Sequence, residues 1–402
     1  MLKEIVVVGA SLAGIRSCQN LRRNGFEGTL TLIGDEKHLP YDRPPLSKSM
    51  LTTAQNPQEL FLVSEAEVRD LEIDLLLGER ATGLNTVKQE VTVGEEKIHY
   101  EGLVIATGAS ARKLSKFTEL DGIHTLRTLD DALAIRSGLT SGSSIVIVGA
   151  GFIGSEIASA AQARGCKVTI IEAGAAPLIR GLGQKTGMAC GSLHQRHGVE
   201  LLLSKQVASI HGSGAVEEIE LSDGTQIPAS MLVVGIGASP NTDWLSDSGL
   251  AIDNGVLCDE TLNVGVPGIY AAGDVARAPN RWSSLPPART EHWSTATEHA
   301  ALAAKNLLAP SESTPYHSVP FVWSDQYEDR IQIAGDTSGS THVTELIGSF
   351  EEDAFVVGYQ SGASILGIAS LNSMREFAKF RRLLMTGGSW SDALDLAKEL
   401  KS

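Results

Sequence analysis

The chain has 402 residues, enough for two or three domains that each bury a hydrophobic core. Hydrophobic residues make up 42% and charged residues 20% of the chain, which excludes a disordered protein and a coiled coil. The formal net charge of −15 disfavours binding to nucleic acid or to an anionic membrane, and no apolar run reaches the roughly 18 residues of a membrane span.

The first predicted element is a buried strand in the apolar run IVVV at residues 5–8, which leads directly into the glycine pattern GASLAG. A helix of about ten residues, RSCQNLRRN, and a second β-rich run, TLTLIG, follow this pattern. The order of these elements predicts a βαβ unit.

The same unit occurs a second time, 140 residues later in the chain. Residues 145–154, IVIVGAGFIG, match residues 5–14, IVVVGASLAG, and the helical run SEIASAAQAR and the strand KVTIIE follow. A second repeated pattern relates LVIATGAS at 103–110 to MLVVGIGAS at 231–239. Repeats of this kind predict two dinucleotide-binding units in one chain.

In the second copy, Gly149, Gly151 and Gly154 form a GxGxxG pattern between a strand and a helix. Glycines at this spacing let the backbone approach a pyrophosphate, which the helix N-terminus then stabilises. Glu172 ends the next strand, where a carboxylate accepts a hydrogen bond from a ribose 2′-hydroxyl and repels a 2′-phosphate. This unit is therefore predicted to prefer NADH over NADPH.

In the first copy, Ser11 replaces the middle glycine between Gly9 and Gly14, and Asp35 follows the second strand in the acidic position. The serine is a departure from the glycine pattern. Two dinucleotides whose reactive rings meet are best matched by FAD and a nicotinamide cofactor. The predicted chemistry is hydride transfer to a flavin.

Five further segments are informative: YDRPPLSK at 41–48, LRTLDD at 126–131, GIYAAGDVA at 268–276, EHWSTATEHA at 291–300 and FVWSDQYE at 321–328. With the paired glycine motifs, they resemble the NADH-dependent ferredoxin reductases of bacterial oxygenase systems, of the putidaredoxin reductase and biphenyl dioxygenase ferredoxin reductase type. The resemblance covers the whole chain and implies an FAD-dependent NADH:ferredoxin oxidoreductase.

The fold that the resemblance implies is an α/β, glutathione-reductase-like one with two Rossmann-type dinucleotide-binding domains and a C-terminal α+β domain. Its expected bounds are residues 1–110 and 238–315 for the discontinuous FAD-binding domain, 111–237 for the NAD-binding domain and 316–402 for the C-terminal domain. In the last of these, the alternating runs FVVGYQ and SILGIAS predict an antiparallel sheet.

The resemblance also implies roles for individual residues. FAD is expected to be bound by Gly9, Ser11, Ala13, Gly14, Asp35, Arg43, Lys48, Ala81, Thr107, Gly108, Arg127, Asp274 and Trp293. NADH is expected to be bound by Gly149, Gly151, Phe152, Ile153, Gly154, Glu156, Glu172, Arg180 and Gly237.

Catalytic roles are implied for Lys48, Glu156 and Trp293. Lys48 is expected to approach the isoalloxazine with Glu156 as its partner, and Trp293 to cover the ring near the nicotinamide. No metal site is expected, because His194 and His197, the best-spaced pair, lack further ligands nearby.

The four cysteines lie far apart and form no CxxC pair, which is typical of free thiols in a reducing cytoplasm. Segment 41–48 contains no cysteine, although disulfide reductases of this fold carry reactive cysteines beside the flavin. The electrons are therefore expected to leave singly. The resemblance implies a [2Fe-2S] ferredoxin, itself feeding a Rieske dioxygenase or a cytochrome monooxygenase, as the acceptor.

Because such ferredoxins are usually acidic, we hypothesise a basic docking face on this chain. Its candidates are Arg375, Lys379, Arg381 and Arg382, together with Arg277, Arg281 and Arg289 near the flavin motifs. The protein is expected to be a cytoplasmic monomer or weak dimer that binds neither nucleic acid nor membrane.

The sequence is also compatible with two alternative functions. One is an NADH oxidase, a diaphorase or a monodehydroascorbate-type reductase that uses a small acceptor. The other, from a different class, is a flavin-bearing binding protein resembling apoptosis-inducing factor.

Overall fold

The computed structural model describes residues 2–53, 55–114, 120–280, 282 and 287–401. The chain divides into two compact units, each made of three segments. The first unit comprises Met1–Asp42, Gln58–Ser110 and Ser239–Pro320, and the second comprises Arg43–Pro57, Ala111–Ala238 and Phe321–Ser402. Each unit contains one copy of the repeated βαβ unit.

A five-stranded parallel sheet forms the centre of the first unit. In spatial order its strands are Ile269–Ala271, Gly102–Ile105, Glu4–Val8, Thr29–Gly34 and Ile73–Leu77. The central strand is buried along almost its whole length, as expected for a parallel sheet covered on both faces. The predicted strand at residues 5–8 is confirmed.

The other elements of the first unit lie before, between and after these strands along the chain. Its helices are Leu12–Arg23, Glu65–Asp70 and Trp293–Leu308, with 3₁₀ turns at Asp243–Leu245, Gly273–Val275 and Pro310–Glu312. An antiparallel sheet is formed by Ala81–Asn85, Glu90–Val93 and Glu96–His99, and Val256–Leu257 pairs with Ala276–Arg277. Three short elements lie where the chain passes between the units: Pro57–Leu60, Ala109–Ala111 and Ala238–Pro240.

The second unit contains a parallel sheet of the same design. In spatial order its strands are Glu200–Leu203, Lys167–Glu172, Ser144–Val148, Met231–Val234 and Ile123–Thr125. The helices of this unit that precede residue 200 are Ser49–Thr52, Leu129–Gly138, Phe152–Ala163 and Ile179–Arg196, with a 3₁₀ turn at Pro44–Ser47. A small antiparallel sheet is formed by Val207–His211, Glu218–Leu221 and Gln226–Pro228.

The two parallel sheets repeat one strand order. In each, the first strand of the βαβ unit is central, its second strand lies on one side, and the strand of the second repeated pattern lies on the other. The helices Leu12–Arg23 and Phe152–Ala163 both begin inside the glycine turn, several residues before the helical runs predicted from the sequence. They begin early because the turn itself supplies the N-cap residue.

The second unit also contains a five-stranded antiparallel sheet. In spatial order its strands are Phe321–Gln326, Asp329–Gly335, Ser364–Leu371, Phe355–Ser361 and His342–Gly348, and the helices Met374–Met385 and Trp390–Lys401 follow. The runs FVVGYQ and SILGIAS pair with each other, so the predicted antiparallel sheet is confirmed.

Within the described ranges, no helix is both long enough and apolar enough to cross a membrane. The longest, Ile179–Arg196, has 18 residues and is kinked at Gly183, whose φ angle is 70°.

Candidate active site

The first glycine turn, residues 9–14, connects the strand Glu4–Val8 to the helix Leu12–Arg23. Gly9 has a φ angle of 115°, and a Cβ atom there would lie 2.1 Å from the carbonyl oxygen of Ala106. Ser11 is the N-cap residue with a φ angle of −120°, which any residue can adopt. The turn therefore keeps the helix N-terminus available for a phosphate despite the serine.

Asp274 lies beside this turn. It belongs to the 3₁₀ turn Gly273–Val275, and a Cβ atom on Gly273 would lie 3.0 Å from the Cβ of Ala13. Gly273 thus allows the segment that carries Asp274 to pack directly on the glycine turn. A carboxylate in this position can hydrogen-bond to hydroxyl groups of a bound dinucleotide.

The two strands on either side of the central strand lead to further predicted FAD residues. Thr107 and Gly108 follow the strand Gly102–Ile105, and the hydroxyl of Thr107 donates a 2.8 Å hydrogen bond to the carbonyl oxygen of Asn241. Asp35 is exposed immediately after the strand Thr29–Gly34. Both strands flank the central one and run parallel to it, so these residues lie at the same carboxyl edge of the sheet.

The imidazole of His292 provides a test of whether FAD fits this unit. Burial lowers the pKa of His292 to about 4, while the nearby carboxylate of Asp274 acts in the opposite direction. The Nδ1 atom of His292 is buried and has no hydrogen-bond partner among the described residues. His292 caps the helix Trp293–Leu308, and a buried polar atom without a partner at a helix N-terminus fits a polar ligand. With the glycine turn, these residues fit FAD.

Trp293 is held by a specific hydrogen bond. Its Nε1 donates to Oδ1 of Asp42 at 2.7 Å, and its ring packs against the core of the first unit. Asp42 belongs to the segment YDRPPLSK. The bond restricts rotation of the indole ring, so Trp293 is an oriented side chain rather than only part of the core.

Three other predicted FAD residues, Ala81, Arg43 and Arg127, lie away from the first glycine turn in the chain. Ala81 is buried at the start of the strand Ala81–Asn85. Arg43 and Arg127 belong to the second unit, where Nη1 of Arg43 donates a 2.5 Å hydrogen bond to the carbonyl oxygen of Arg127. The structure therefore brings these two arginines together as a pair.

The second glycine turn, residues 149–154, lies in the second unit. A Cβ atom on Gly154 would lie 2.0 Å from the carbonyl oxygen of Gly149, whereas one on Gly151 would meet no atom within 4 Å. Gly154 is therefore required by the packing of the chain. The middle glycine leaves open space, which explains why a serine can occupy the equivalent position 11.

Glu172 is fixed at the edge of this turn. Its Oε2 accepts a 2.7 Å hydrogen bond from the backbone N–H of Ala150, and its Oε1 accepts one of 2.6 Å from Gly174. A carboxylate offers about four acceptor positions. Glu172 can therefore still accept a hydrogen bond from a ribose hydroxyl while the backbone holds it in place.

The other predicted NADH residues cluster near the start of the helix Phe152–Ala163. A Cβ atom on Gly237 would lie 3.5 Å from Nη1 of Arg180, and one on Gly181 would lie 3.6 Å from the ring of Phe152. Ile153 is 43% exposed. An exposed apolar residue and a guanidinium beside a helix N-terminus suit a diphosphate-linked aromatic ligand.

Lys48 and Glu156 form a largely buried ion pair in the second unit. The Nζ atom of Lys48 lies 2.7 Å from Oε2 of Glu156, and the two side chains are 22% and 5% exposed. The hydroxyl of Ser47 also donates to Oε2 of Glu156, and that of Ser324 donates to Oε1 at 2.6 Å. The carboxylate thus has three partners, which compensate its removal from water.

Ser47 and Ser324 are absent from the predicted site, although both lie inside the segments that carry the family resemblance. Ser47 immediately precedes Lys48 in the chain, and this adjacency is the only feature of the local sequence that points to a role for Ser47. Nothing in the local sequence marks Ser324, because its partner Glu156 is 168 residues away in the chain.

Two family models match the chain. Residues 3–300 match the model described as pyridine nucleotide-disulphide oxidoreductase, and residues 321–402 match the reductase C-terminal model. The chain belongs to the pyridine nucleotide-disulphide oxidoreductase family. Its predicted α/β, glutathione-reductase-like fold with a C-terminal α+β domain is confirmed.

Within this family, the chain is similar to reductases of known systems. It is 37% identical to rhodocoxin reductase of Rhodococcus erythropolis, over 95% of this chain and 89% of the relative. It is 34% identical to the biphenyl dioxygenase system ferredoxin–NAD(+) reductase component of Paraburkholderia xenovorans (strain LB400), over 96% of this chain and 94% of the relative.

A solved structure agrees with these relatives. The covalent putidaredoxin reductase–putidaredoxin complex matches with a TM-score of 0.91 and 30% identity, covering 96% of this chain and 93% of that one. The resemblance to NADH-dependent ferredoxin reductases of bacterial oxygenase systems is thus confirmed.

The family is named for disulfide chemistry, but the thiols of this member are poorly suited to it. Cys18, Cys166, Cys190 and Cys258 are all free and buried. Burial raises the pKa of Cys18, Cys190 and Cys258 to about 12, so these thiols stay protonated at neutral pH. A reactive cysteine needs the thiolate form.

His194 and His197 have protein partners. The Nδ1 of His194 lies 2.8 Å from the hydroxyl of Tyr327, its Nε2 lies 3.2 Å from that of Ser155, and the ring of His197 stacks on Tyr327 at 4.0 Å. Within the part of the chain that the structure describes, no group of three or more His, Cys, Asp or Glu side chains could hold a metal ion.

Buried His194 makes the stability of this protein depend on pH. Burial lowers its pKa from 6.5 to about 4 in the folded state. As the pH falls, the unfolded chain therefore binds a proton at His194 before the folded chain does. The contribution of neutral His194 to the free energy of unfolding is fully present above about pH 6.5 and is lost towards pH 4. Its size is on the order of 3 kcal/mol. We expect His194→Gln to make the fall in Tm between pH 7 and pH 4.5 shallower.

The matched control is His342→Gln, because His342 is exposed on the antiparallel sheet. Differential scanning calorimetry should show the wild-type pH slope for this variant. If Tm falls equally steeply with pH in the His194 and His342 variants, His194 is not the source of the pH dependence.

Proposed function

We propose that the chain is an FAD-dependent NADH:ferredoxin reductase that takes hydride from NADH and passes single electrons to a [2Fe-2S] ferredoxin serving an oxygenase. The named relatives support this proposal, since one is a rhodocoxin reductase and the other is the ferredoxin–NAD(+) reductase component of a biphenyl dioxygenase system. The observation that carries it is the buried Lys48–Glu156 pair in a segment without cysteine, in a chain whose thiols are all buried.

When bound, FAD accepts two electrons from NADH and releases them one at a time. We assign to the ammonium of Lys48 the stabilisation of negative charge on the reduced ring. Glu156 holds that ammonium in place. Trp293, oriented by Asp42, would cover the ring of bound FAD near the nicotinamide.

The two glycine turns are proposed to hold the two dinucleotides. The residues around the turn at 9–14 bind FAD, with Arg43, Ala81 and Arg127 as further contacts, and those around the turn at 149–154 bind NADH. We propose that the chain consists of an FAD domain (1–110 and 238–315), an NAD domain (111–237) and a C-terminal domain (316–402). The match of the reductase C-terminal model from residue 321 supports the last boundary.

We further propose a cytoplasmic monomer or weak dimer. The four free, buried cysteines support a reducing compartment, because no disulfide is needed to stabilise the fold. Analytical ultracentrifugation tests the oligomeric state.

The ferredoxin is proposed to dock on the basic helix, Met374–Met385. Arg375, Lys379 and Arg382 are exposed and follow one another at helical spacing, so they share one face. Arg381 is less suited, because its guanidinium lies 4.2 Å above the ring of Phe321 and is held against the sheet. An acidic partner would be steered by the three exposed cations.

Two of the cations near the flavin motifs are paired with acidic side chains and are therefore less available to an acidic partner. Arg277 pairs with Asp253, and Arg289 pairs with Glu291. Arg281 lies outside the described residues.

Steady-state turnover tests the function as a whole. The FAD-loaded protein with NADH should reduce a [2Fe-2S] ferredoxin much faster than dioxygen or quinones. Rapid reduction of a small acceptor without any ferredoxin reduction would favour the NADH oxidase or monodehydroascorbate-type alternative. Negligible turnover, with NADH changing only the association state, would favour the binding protein that resembles apoptosis-inducing factor.

We expect Glu172→Ala to reduce the preference for NADH over NADPH by about ten-fold, because the ribose loses a charged acceptor and a 2′-phosphate loses its repulsion. The measurement is the ratio of kcat/KM for the two cofactors. Glu200→Ala is the control, since Glu200 lies on the neighbouring strand and accepts a hydrogen bond only from Thr169 among the described contacts. A wild-type ratio in Glu172→Ala would show that selectivity lies elsewhere.

We expect the double variant Arg375→Gln/Arg382→Gln to lower kcat/KM for ferredoxin by about ten-fold at low ionic strength, and less at high salt. NADH-dependent reduction of ferricyanide should stay unchanged. The control, Lys398→Gln/Lys401→Gln, removes the same charge from the helix Trp390–Lys401. Equal ferredoxin kinetics in both double variants would exclude the basic helix as the docking site.

A further inference from the structure

The carboxylate of Glu156 is contacted by side chains from two segments that are distant in the chain, 41–48 and 321–328. Its two oxygens are held separately: Lys48 and Ser47 contact Oε2, and the hydroxyl of Ser324 donates to Oε1 at 2.6 Å. Ser324 is completely buried, and Glu156 is 5% exposed. Partners on both oxygens fix the plane of the carboxylate, which an ammonium on one oxygen alone cannot do.

The direction of the Ser324 hydroxyl is also determined. The side-chain amide of Gln326 donates a 3.2 Å hydrogen bond to the oxygen of Ser324. Gln326 lies two residues along the same strand, so both side chains share one face of the sheet. Because the oxygen of Ser324 accepts from Gln326, its proton is directed to Glu156.

We propose that Ser324 and Ser47 are positioning residues for electron transfer: they orient the carboxylate of Glu156, which in turn fixes the ammonium of Lys48. This inference rests on the proposed function, in which Lys48 stabilises the reduced flavin. Neither serine is proposed to touch FAD or NADH. Their effect is transmitted through the Glu156 carboxylate.

Chemical labelling of Lys48 tests the positioning without relying on turnover. In the FAD-loaded enzyme, without NADH or ferredoxin, acetylation of Lys48 is followed by mass spectrometry, with exposed Lys88 as internal reference. Ser324→Ala should raise the labelling rate of Lys48 about three-fold or more, because a freely rotating carboxylate holds the ammonium less tightly. Ser324→Thr keeps the hydroxyl and should restore the slow rate.

Ser370→Ala is the matched control. Ser370 is a serine of the same antiparallel sheet, only 1% exposed, and its hydroxyl has no hydrogen-bond partner among the described residues. Its substitution removes the same atom from the same kind of environment. Labelling of Lys48 should stay at the wild-type rate.

Stopped-flow kinetics then links the position of Lys48 to the reaction. Ser324→Ala and Ser47→Ala should each slow flavin reduction at saturating NADH by about ten-fold, with less than about a two-fold change in the Kd of NADH. In a Glu156→Gln background, Ser324→Ala should have little further effect, because the shared partner is already altered.

Three results would overturn the inference: unchanged Lys48 labelling in Ser324→Ala, failure of Ser324→Thr to restore it, or equal changes in Ser370→Ala. Since labelling needs no electron acceptor, these outcomes are separable from a failure of the proposed function. If the Ser324 variants change Lys48 labelling as expected but the enzyme reduces no ferredoxin, the positioning role stands and only the proposed ferredoxin reductase function is refuted.

Discussion

A buried negative charge, the carboxylate of Glu156, connects three regions of the second unit. A carboxylate in the position of Glu156 is costly unless each oxygen finds a donor, and here Lys48, Ser47 and Ser324 supply them. These donors come from the segments YDRPPLSK and FVWSDQYE, and the acceptor comes from the helix after the second glycine turn. A single electrostatic requirement thus links three regions of the chain and places the only lysine of segment 41–48 in a defined orientation.

The two glycine turns impose a second constraint, which is steric. At Gly9 and Gly154 a Cβ atom would meet a backbone carbonyl oxygen at 2.1 and 2.0 Å, so no other residue fits without a shift of the chain. At Gly151 the space is open. Gly9 and Gly154 are therefore required by the packing of the backbone, whereas Gly151 is not, which explains why Ser11 does not disturb the first turn.

Chemistry within this family divides according to where the electrons go after the flavin. Thiols of members that reduce disulfides must be exposed and easily deprotonated. In this chain, burial raises the pKa of three of the four thiols to about 12, and the segment with Lys48 has no cysteine. A charged pair in a segment without cysteine favours direct delivery of electrons to a separate carrier.

The sequence by itself determined the two βαβ units, the antiparallel sheet and the acid at Glu172, because strand periodicity, glycine spacing and strand ends are local properties. The pairing of Lys48 with Glu156 came from family resemblance. Only the tertiary structure decided that Ser324 donates to Glu156, that Arg43 contacts Arg127, and that Arg381 stacks on Phe321. Such contacts join residues far apart in the chain, and a hydrogen bond or a stacked ring leaves no pattern in the local sequence of either partner.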